Sequence, residues 1–406
     1  MLYAGIDIAK FDHVIGAVNQ KGKALSKPMK FKNSTSGFAR CVAYLEGLTD
    51  DKSEIIVGME ATGHYWLPCF CHLTELGYGV VVINPIQTDA MRRFKNLGKV
   101  KTDAIDCTVI AETLRCGDFE PSKLADEKTM SLRHLTRMRK AMVDDIADLK
   151  RHITTALDQV FPEYDNLFSN TFGESSKAFL KRCPTPEEVA AIDIRTLTNL
   201  LNQASNGKIG REKAKEAKEL AKGSCGISLA SETLSFQIKI LAKQIEFIEG
   251  QLDEVDAKIK ETLDELEPLI LTIPGISYGI GAPIVAEIGD IRRFKNAPAV
   301  VKFAGISPSK NQSGTFEGEA NHITKQGSPY LRHALYLAAM AQLTTRGPLY
   351  DYYAKKRSEG KAHREALIAV ARKLVHIIYA VLSTQTPYDP EYESRKVAAI
   401  TQSTEL

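Results

Sequence analysis

Two acidic side chains towards the end of the first third of the chain have the type and spacing of metal ligands. Asp103 and Asp106 lie three residues apart within the stretch Lys99–Arg115. Thr102 can cap a helix that begins there, and residues three apart on a helix share one face. Both carboxylates are therefore expected at the positive end of a helix dipole, where they form half of a metal site.

Two further acids stand within or at the end of apolar runs. Asp7 belongs to the run Tyr3–Ile8, and Glu60 ends the run Glu54–Glu60. Each acid alone also fits a structural role, as a helix cap or a solvent-facing strand end. Four carboxylates without a matching Cys or His set are hard oxygen ligands, which suit Mg²⁺ or Mn²⁺ rather than zinc. Because two such ions about 3.5 to 4 Å apart can assist phosphodiester displacement, the predicted substrate is DNA or RNA.

Basic side chains are clustered, although the net charge of the chain is only +3. A case for nucleic-acid binding must therefore rest on where the charge lies. One acid-free run directly precedes the Asp103 helix and could hold the strand being cut; its members are Arg92, Arg93, Lys95, Lys99 and Lys101. A second cluster lies near the end of the chain and includes Lys355, Lys356, Arg357 and Arg364.

Cysteine and histidine residues do not form a recognisable zinc motif. Cys69, Cys71 and His72, with His64 nearby, are not completed by a second cysteine pair, so we expect packing or surface roles for them. Seven cysteines scattered through the chain suit a reducing compartment. No run approaches the roughly 18 apolar residues of a membrane span, and the start resembles no secretion signal. A cytoplasmic protein without a membrane partner is expected.

The first third of the chain alternates between strand and helix patterns. With 406 residues, 44% of them hydrophobic, the chain can form two or three domains. Strands are predicted over Tyr3–Ile8, Val14–Val18, Lys27–Lys32, Glu54–Glu60 and Tyr78–Ile83. Helices are predicted over Gly37–Leu48, over Tyr65–Leu76 and from Asp103. Three antiparallel strands followed by alternating helices and parallel strands describe a ribonuclease-H-like mixed α/β sheet.

The middle of the chain is predicted to be helical. Apolar residues recur at three- and four-residue steps from Leu135 to Val160, and again from Leu234 to Ile259 through about four heptads. The two helices could pair with each other or with a second chain, and we expect a coiled coil that forms a homo-oligomer, a dimer or a tetramer. The intervening stretch 185–226 is a helical insertion, whose lysine-rich segment 211–222 is read as a solvated face.

The final third begins with a turn that could bind phosphate. Gly275 lies in the sequence Ile-Pro-Gly-Ile that starts at Ile273, and such a turn between helices can offer backbone N–H groups to a nucleic-acid backbone. It is similar to a helix-hairpin-helix motif, although a plain helix corner is also possible. A loop rich in hydroxyl residues follows over 303–316. Apolar helices are predicted over Leu331–Leu343 and Glu365–Leu382.

Short motifs along nearly the whole chain resemble one family, the DEDD transposases of the insertion-sequence one-ten group, which are related to the Piv and MooV invertases. In the first third the matches are Gly-Ile-Asp ending at Asp7, Glu-Ala-Thr-Gly at Glu60, Val-Ile-Asn-Pro at Val82 and Lys-Thr-Asp-Ala-Ile-Asp at Lys101. In the last third they are Ile-Pro-Gly-Ile at Ile273, Phe-Ala-Gly-Ile-Ser-Pro at Phe303, Ser-Gly at Ser313 and Leu-Arg-His-Ala-Leu-Tyr at Leu331.

The resemblance implies a division of the chain into four parts. These are a RuvC-like DEDD catalytic domain over 1–125, a helical coiled-coil region with an insertion over 126–268, a small, mainly helical C-terminal transposase domain over 269–390, and a tail over 391–406. It also implies a recombinase that excises and inserts its own mobile element, guided by a structured noncoding bridge RNA that pairs with donor and target DNA.

The resemblance further implies a serine nucleophile that joins covalently to DNA, and the matched Ser-Gly motif assigns it to Ser313. Ser307 and Ser309 are rivals in the same loop. A serine hydroxyl needs a base or a metal beside it. The loop is therefore expected to fold onto the four acids, Asp7, Glu60, Asp103 and Asp106, in the same subunit or in a partner subunit.

Three other functions are compatible with parts of the pattern. A structure-selective nuclease similar to a Holliday-junction resolvase would use the same acids with water as nucleophile. An actin-like or sugar-kinase ATPase needs a Gly- and Thr-rich phosphate turn after Asp7, where Ala9-Lys10-Phe11 stands instead. A non-catalytic nucleic-acid-binding protein would tolerate loss of the acids, which are intact.

Overall fold

The computed structural model describes residues 1–61, 63–95, 102–117, 119, 121–122, 124–309 and 322–391, together with the backbone of 312–313 and 316–317. The chain divides into two compact units, 1–124 and 125–406. Strands and helices alternate in the first unit, whereas helices dominate the second.

A five-stranded mixed sheet forms the centre of the first unit. Its strands are β1 Leu2–Asp7, β2 Asp12–Val18, β3 Met29–Lys32, β4 Ile55–Glu60 and β5 Gly79–Ile83, in the spatial order β3-β2-β1-β4-β5. The pairs β1–β2 and β2–β3 are antiparallel, and the pairs β1–β4 and β4–β5 are parallel. This confirms the predicted mixed α/β sheet, which fits a RuvC-like fold.

The α-helices in the described part of this unit are α1 Thr35–Glu46, α2 Trp66–Glu75, α3 Pro85–Phe94 and α4 Asp103–Cys116. The hydroxyl of Ser34 caps α1, and the predicted cap of α4 is confirmed because the Thr102 side chain accepts a hydrogen bond from the backbone N–H of Ile105. Helix α3 was not predicted; Asn84 caps it and Pro85 occupies its first turn, which is a favourable position for proline.

The second unit begins with the helix α5 Glu127–Val160, and the helix α10 Ser231–Asp264 follows its helical insertion. Each of the two helices has 34 residues. Lys128 pairs with Glu265 at 3.0 Å, and Arg139 pairs with Asp256, so the two helices run antiparallel. The apolar face of α10 therefore packs against α5 of the same chain. Between them lie α6 Glu174–Arg182, α7 Pro186–Ala191, α8 Ile194–Ala204 and α9 Arg211–Lys222.

The rest of the second unit is a helical cluster with one small hairpin. Its helices are α11 Tyr278–Ile288, α12 Ala297–Phe303, α13 Pro329–Thr344, α14 Tyr350–Ser358 and α15 His363–Thr384. The hairpin strands are β6 Gln312–Ser313 and β7 Phe316–Glu317. Buried aliphatic residues of α11, α12, α13 and α15 form a common core.

Helix α15 departs from the expectation that no segment approaches a membrane span. Its 22 residues have a mean hydropathy of 1.7 in the most apolar window, which meets the length and composition of a span. Its apolar face contributes Leu367, Val370, Leu374 and Ile378 to the core of the helical cluster. Packing inside the protein thus accounts for the 44% of that window that is buried.

Candidate functional site

The predicted acids of β1 and β4 lie at one edge of the sheet. Asp7 and Glu60 are the last residues of two neighbouring parallel strands, and the preceding residues Ile6 and Met59 are partners in the strand register. Parallel strands end at the same edge, so the two carboxylates are side by side. Both are partly exposed.

A row of three glycines determines how closely α4 approaches this sheet. Gly16, Gly5 and Gly58 are register partners in β2, β1 and β4. A β-carbon at Gly5 would lie 2.0 Å from the carbonyl oxygen of Cys107, and one at Gly58 would lie 2.7 Å from the side chain of Leu114. The absence of side chains in this row therefore permits direct packing of α4 on the strands.

The same packing places the start of α4 beside the strand ends. Side chains two residues apart share a sheet face, so Asp7 projects from the face that bears Gly5. Burial raises the pKa of the Cys107 thiol to about 11, and the negative charges of Asp7 and Asp106 add to that shift. The thiol thus lies close to both carboxylates, and Asp103 is one helical turn before it. The structure brings the first turn of α4 to the edge where β1 ends.

Helix α3 contacts two of the four acids. The Thr88 hydroxyl donates to Oε2 of Glu60 at 3.1 Å, and the Arg92 guanidinium forms a hydrogen-bonded ion pair with Oδ1 of Asp106. Thr88 and Arg92 are four residues apart and share one face of α3. Asp106 is 7% exposed, whereas Asp103 is exposed.

The four acids have the ligand chemistry that Mg²⁺ prefers and lie at one edge of the sheet. Their side chains are not close enough together to bind an ion in the present arrangement. Hard carboxylate oxygens at one edge of a sheet are the ligand type that Mg²⁺ prefers. Within the described ranges, no three His, Cys, Asp or Glu side chains converge closely enough to hold an ion. Since Arg92 already neutralises Asp106, that carboxylate must exchange its partner before it can join a ligand set.

The basic run before α4 is partly engaged in ion pairs. Lys95 pairs with Glu112 of α4 at 2.8 Å, and Arg115 binds the same carboxylate at 2.8 Å. Burial opposes ionisation of Glu112, but the hydrogen bonds and charges of Lys95 and Arg115 outweigh it and lower its pKa. Arg93 is exposed. Lys99 and Lys101 lie outside the described residues.

The predicted nucleophile lies at the tip of the small hairpin. Ser313 ends β6 and is the register partner of Phe316, so only two residues separate the two strands. Ser307 and Ser309 lie further back, where the Ser307 carbonyl accepts the N–H of Thr324 at 2.9 Å. The Ser309 hydroxyl donates to the carbonyl of His322 at 2.8 Å. Of the three candidate serines, Ser313 alone is at the tip of the hairpin.

Backbone contacts close the base of this segment, which we call the serine hairpin (residues 303–328). The Ser328 N–H donates to the carbonyl of Phe303 at 2.8 Å. Arg332 donates to the carbonyls of Ala304 and Lys325 at 3.2 and 3.3 Å. A β-carbon at Gly327 would lie 2.0 Å from the Phe303 oxygen, and its φ of +132° also favours glycine.

The Gly275 turn differs from the expected motif. It follows a four-residue 3₁₀ helix, Leu269–Thr272, rather than an α-helix. Gly275 has φ +83°, and a β-carbon there would lie 2.9 Å from the hydroxyl of Thr345. Gln342 donates to the carbonyl of Pro274 at 2.7 Å. Packing against the end of α13 thus explains this glycine without a ligand.

The C-terminal basic cluster surrounds the turn between α14 and α15. Lys355, Arg357 and Arg364 are exposed. Lys356 pairs with Glu359 at 2.7 Å, and one guanidinium N–H of Arg357 donates to the carbonyl of Lys361. Part of the positive charge is therefore engaged locally, and the rest faces solvent.

One cysteine of α2 has the packing role that was expected. Cys69 is buried in the core of the first unit, and burial raises the pKa of its thiol to about 12. No described group of metal-ligating side chains includes Cys71 or His72.

One buried charged group was missed by sequence reasoning. Glu287 of α11 is 3% exposed and accepts two hydrogen bonds from Arg137, at 2.7 and 3.1 Å, and one from the Ser328 hydroxyl at 2.8 Å. Ser328 also closes the serine hairpin. Arg137 and Glu287 are 150 positions apart, so no local pattern could have paired them.

Comparison with known proteins identifies two matched regions. Residues 4–162 match a DEDD transposase family named after IS110, and residues 267–354 match the transposase IS116/IS110/IS902 family. Together they span more than half of the chain and include Asp7, Glu60, Asp103, Asp106 and Ser313.

Individual relatives extend the similarity along the chain. The 44.8 kDa protein of insertion element IS116 from Streptomyces clavuligerus is 27% identical over 399 residues, which cover 96% of both chains. A pilin gene-inverting protein of Moraxella bovis is 32% identical over 128 residues, 31% of this chain and 40% of its own length. The transposase for element IS1111A of Coxiella burnetii is 30% identical over 122 residues, 29% of this chain and 33% of its own. The chain belongs to the IS110/IS116/IS902 family of transposases.

Proposed function

We propose that this transposase excises and inserts a mobile DNA element with Ser313 as nucleophile and with Asp7, Glu60, Asp103 and Asp106 as ligands of Mg²⁺, for which Mn²⁺ can substitute. The observation that carries the proposal is the packing of α4 on the glycine row, because it brings acids from three elements to one edge of the sheet.

The four carboxylates differ in their position, exposure and ion pairing. Asp7 and Glu60 are fixed at strand ends, and Asp103 is exposed to solvent. Asp106 is held by Arg92 and joins the ligands when that guanidinium moves away. When bound, Mg²⁺ would neutralise charge on the phosphodiester and make its phosphorus more electrophilic.

The proposed covalent step exchanges one phosphodiester for another. The Ser313 oxygen forms a bond to phosphorus as its proton is lost, and the bond from phosphorus to the leaving DNA oxygen breaks as that oxygen gains a proton. Because the serine-linked DNA keeps a phosphodiester, a second DNA hydroxyl can reverse the step without an added energy source. The position of Ser313 at the hairpin tip supports this assignment.

The partners of the reaction are donor DNA, target DNA and a structured noncoding guide RNA. The exposed Lys355, Arg357 and Arg364 offer charge to phosphate backbones, as do Lys99 and Lys101 of the basic run. We further propose a homo-oligomer that forms a coiled coil through the outer faces of α5 and α10, since the facing apolar residues of these helices pack on each other within the chain. The proposal also includes the four-part division of the chain and action in the cytoplasm.

The test is the formation of a protein–DNA adduct. Purified protein is incubated with Mg²⁺, candidate flanking RNA and end-labelled donor DNA, and the products are separated on a denaturing gel. A protein-linked band is expected for the wild type and for Ser309→Ala, and its loss is expected for Ser313→Ala and Asp103→Asn. Omission of the RNA tests guidance separately, and omission of Mg²⁺ tests the metal.

Cleavage without a covalent link would favour a structure-selective nuclease instead. All four acids lie in the first unit, so a water nucleophile would not require the hairpin. Unlinked cleavage products that persist in Ser313→Ala would establish that alternative.

A further inference from the structure

Four arginines and two carboxylates lie together at the C-terminal end of α11. Arg133 and Arg137 come from α5, and Arg292 and Arg293 come from the 3₁₀ helix Ile291–Arg293. The carboxylates are Glu287 and Asp290. Two positive charges are therefore in excess within this group.

Each carboxylate already has an arginine partner. Arg137 binds both oxygens of Glu287, and Arg292 donates to both oxygens of Asp290, with distances of 2.9 and 3.0 Å. Two arginines therefore lack a carboxylate of their own. Neither Arg133 nor Arg293 forms an ion pair with any carboxylate in the described part of the chain.

The two remaining guanidiniums are held next to each other by neutral groups. Arg133 donates to the carbonyl of Ala286 at 2.9 Å, and Arg293 donates to the adjacent carbonyl of Glu287 at 3.3 Å. The Arg293 guanidinium also lies over the rings of Phe294 and Phe303, at 4.6 and 4.7 Å from their centroids. Cation–π contacts of this kind fix the plane of a guanidinium while leaving some of its N–H groups available.

The excess charge is unfavourable in the absence of an anion. Burial lowers the pKa of Arg293, and the charge of Arg133 lowers it further. Burial also lowers the pKa of Arg133, and Arg137 adds repulsion. Glu287 and Asp290 offset these effects only in part.

We propose that Arg133 and Arg293 form a binding site for a phosphodiester group of the DNA strand that the serine hairpin engages. Phosphate oxygens match the donor fork of arginine and would remove the repulsion between the two guanidiniums. This inference rests on the proposed function, because it assigns the phosphate to the DNA that is joined to Ser313.

The connection to the hairpin favours DNA as the source of the phosphate. Phe303, whose ring lies under Arg293, accepts the hydrogen bond from Ser328 that closes the hairpin base. Ser328 in turn donates to Glu287, the partner of Arg137. Contacts through Phe303, Ser328 and Glu287 thus link the proposed site to the base of the hairpin, so a DNA strand bound at one is held close to the other.

The experiment measures binding of the full-length chain to a labelled DNA duplex that carries the element end, by fluorescence anisotropy at a series of salt concentrations without Mg²⁺. Removal of one cation that binds a phosphate reduces the magnitude of the slope of log K against log salt by about 0.9. Arg293→Gln and Arg133→Gln are each expected to reduce the slope by that amount and to weaken binding severalfold. Arg292→Gln is the matched control, because its guanidinium is exposed and already paired with Asp290.

The results distinguish phosphate binding by the two arginines from a purely structural role, and they do not depend on the proposed reaction of Ser313. If Arg293→Gln and Arg133→Gln match Arg292→Gln in slope and affinity, the two arginines only stabilise the end of α11 and the inference is wrong. A parallel titration with guide RNA decides the source, since a reduced slope with RNA alone would overturn the assignment to DNA. Unfolding temperatures confirm that each variant is folded, and Arg293→Gln alone carries the test if Arg133→Gln does not fold. Because binding is measured without Mg²⁺, failure of the Ser313 adduct assay would not alter this outcome.

Discussion

Arg92 of α3 and Asp106 of α4 form an ion pair whose side chains are only 18% and 10% exposed. The pair joins two helices of the first unit at the edge where the carboxylates lie. It also keeps one proposed metal ligand neutralised in the absence of metal.

Replacement of Arg92 by Gln should make Asp106 available to a cation. We expect the metal-free variant to lose about 3 kcal/mol of stability, since a largely buried carboxylate is left without its partner. Mg²⁺ should then raise the unfolding temperature more in Arg92→Gln than in the wild type. The measurement is thermal unfolding with and without Mg²⁺, with the exposed Arg93→Gln as control. An equal Mg²⁺ response in all three proteins would show that Asp106 is not a ligand.

Replacement of Gly5 by Ala should destabilise the first unit strongly. The added methyl group would overlap the Cys107 carbonyl, which belongs to the helix backbone and cannot rotate away. Overpacking of this kind costs about 3 kcal/mol. The opposite sign is expected for Gly250→Ala in α10, because that glycine has open space around it and alanine favours helix. Denaturant unfolding of both variants gives the comparison, and equal effects would refute the role of the glycine row.

Replacement of Gly327 by Ala should reduce adduct formation without loss of the fold. A β-carbon at this position overlaps the Phe303 carbonyl and therefore opens the base of the serine hairpin. Gly360→Ala is the control, because Gly360 also has positive φ but has no neighbour within 4 Å. Adduct yield on a denaturing gel should fall for Gly327→Ala and stay near the wild-type value for Gly360→Ala. Similar yields would mean that the base does not position Ser313.

Acid should destabilise the second unit through Glu163. Burial would raise the pKa of this carboxyl, but hydrogen bonds from Ser224 and from the Cys225 N–H outweigh it and lower the pKa from 4.5 to about 2. A carboxyl whose pKa is lower in the folded state than in the unfolded state stabilises the fold at pH values above the unfolded-state pKa. This contribution is lost as the pH falls towards the folded-state pKa. The contribution should be complete above pH 4.5 and vanish towards pH 2.

Urea denaturation midpoints at a series of pH values provide the measurement. Glu163→Gln should show a shallower decline between pH 4.5 and pH 2 than the wild type. Asp165→Asn, which removes an exposed carboxylate from the same 3₁₀ helix, is the control. Parallel curves for the wild type and Glu163→Gln would contradict the assignment.

Local signals were sufficient to predict the elements that carry the acids. The Thr102 cap and the spacing of Asp103 and Asp106 can be recognised from a stretch of a few residues. The strand that ends at Glu60 can be recognised as a continuous apolar run. The combination of three antiparallel strands with parallel ones followed from the predicted class of sheet, and the structure has it. Such features depend on the chain neighbourhood rather than on tertiary contacts.

Tertiary partners were not predictable in the same way. Arg92 and Lys95 read as free basic residues, because their partners Asp106 and Glu112 reach them only after α3 folds against α4. Arg133 and Arg293 are distant in sequence and become neighbours only at the end of α11. A single sequence identifies the charged residues, but it does not identify which of them form ion pairs in the folded protein.

The glycine row also limits how α4 can evolve. Because the Cys107 carbonyl fills the space beside Gly5, this contact fixes where Cys107 lies along the sheet. A single-residue insertion between Thr102 and Cys107 would rotate the leading carboxylates by about 100° relative to the strand ends. Length changes in this segment should therefore be far less tolerated than substitutions, so the spacing from Thr102 to Cys107 is itself under constraint.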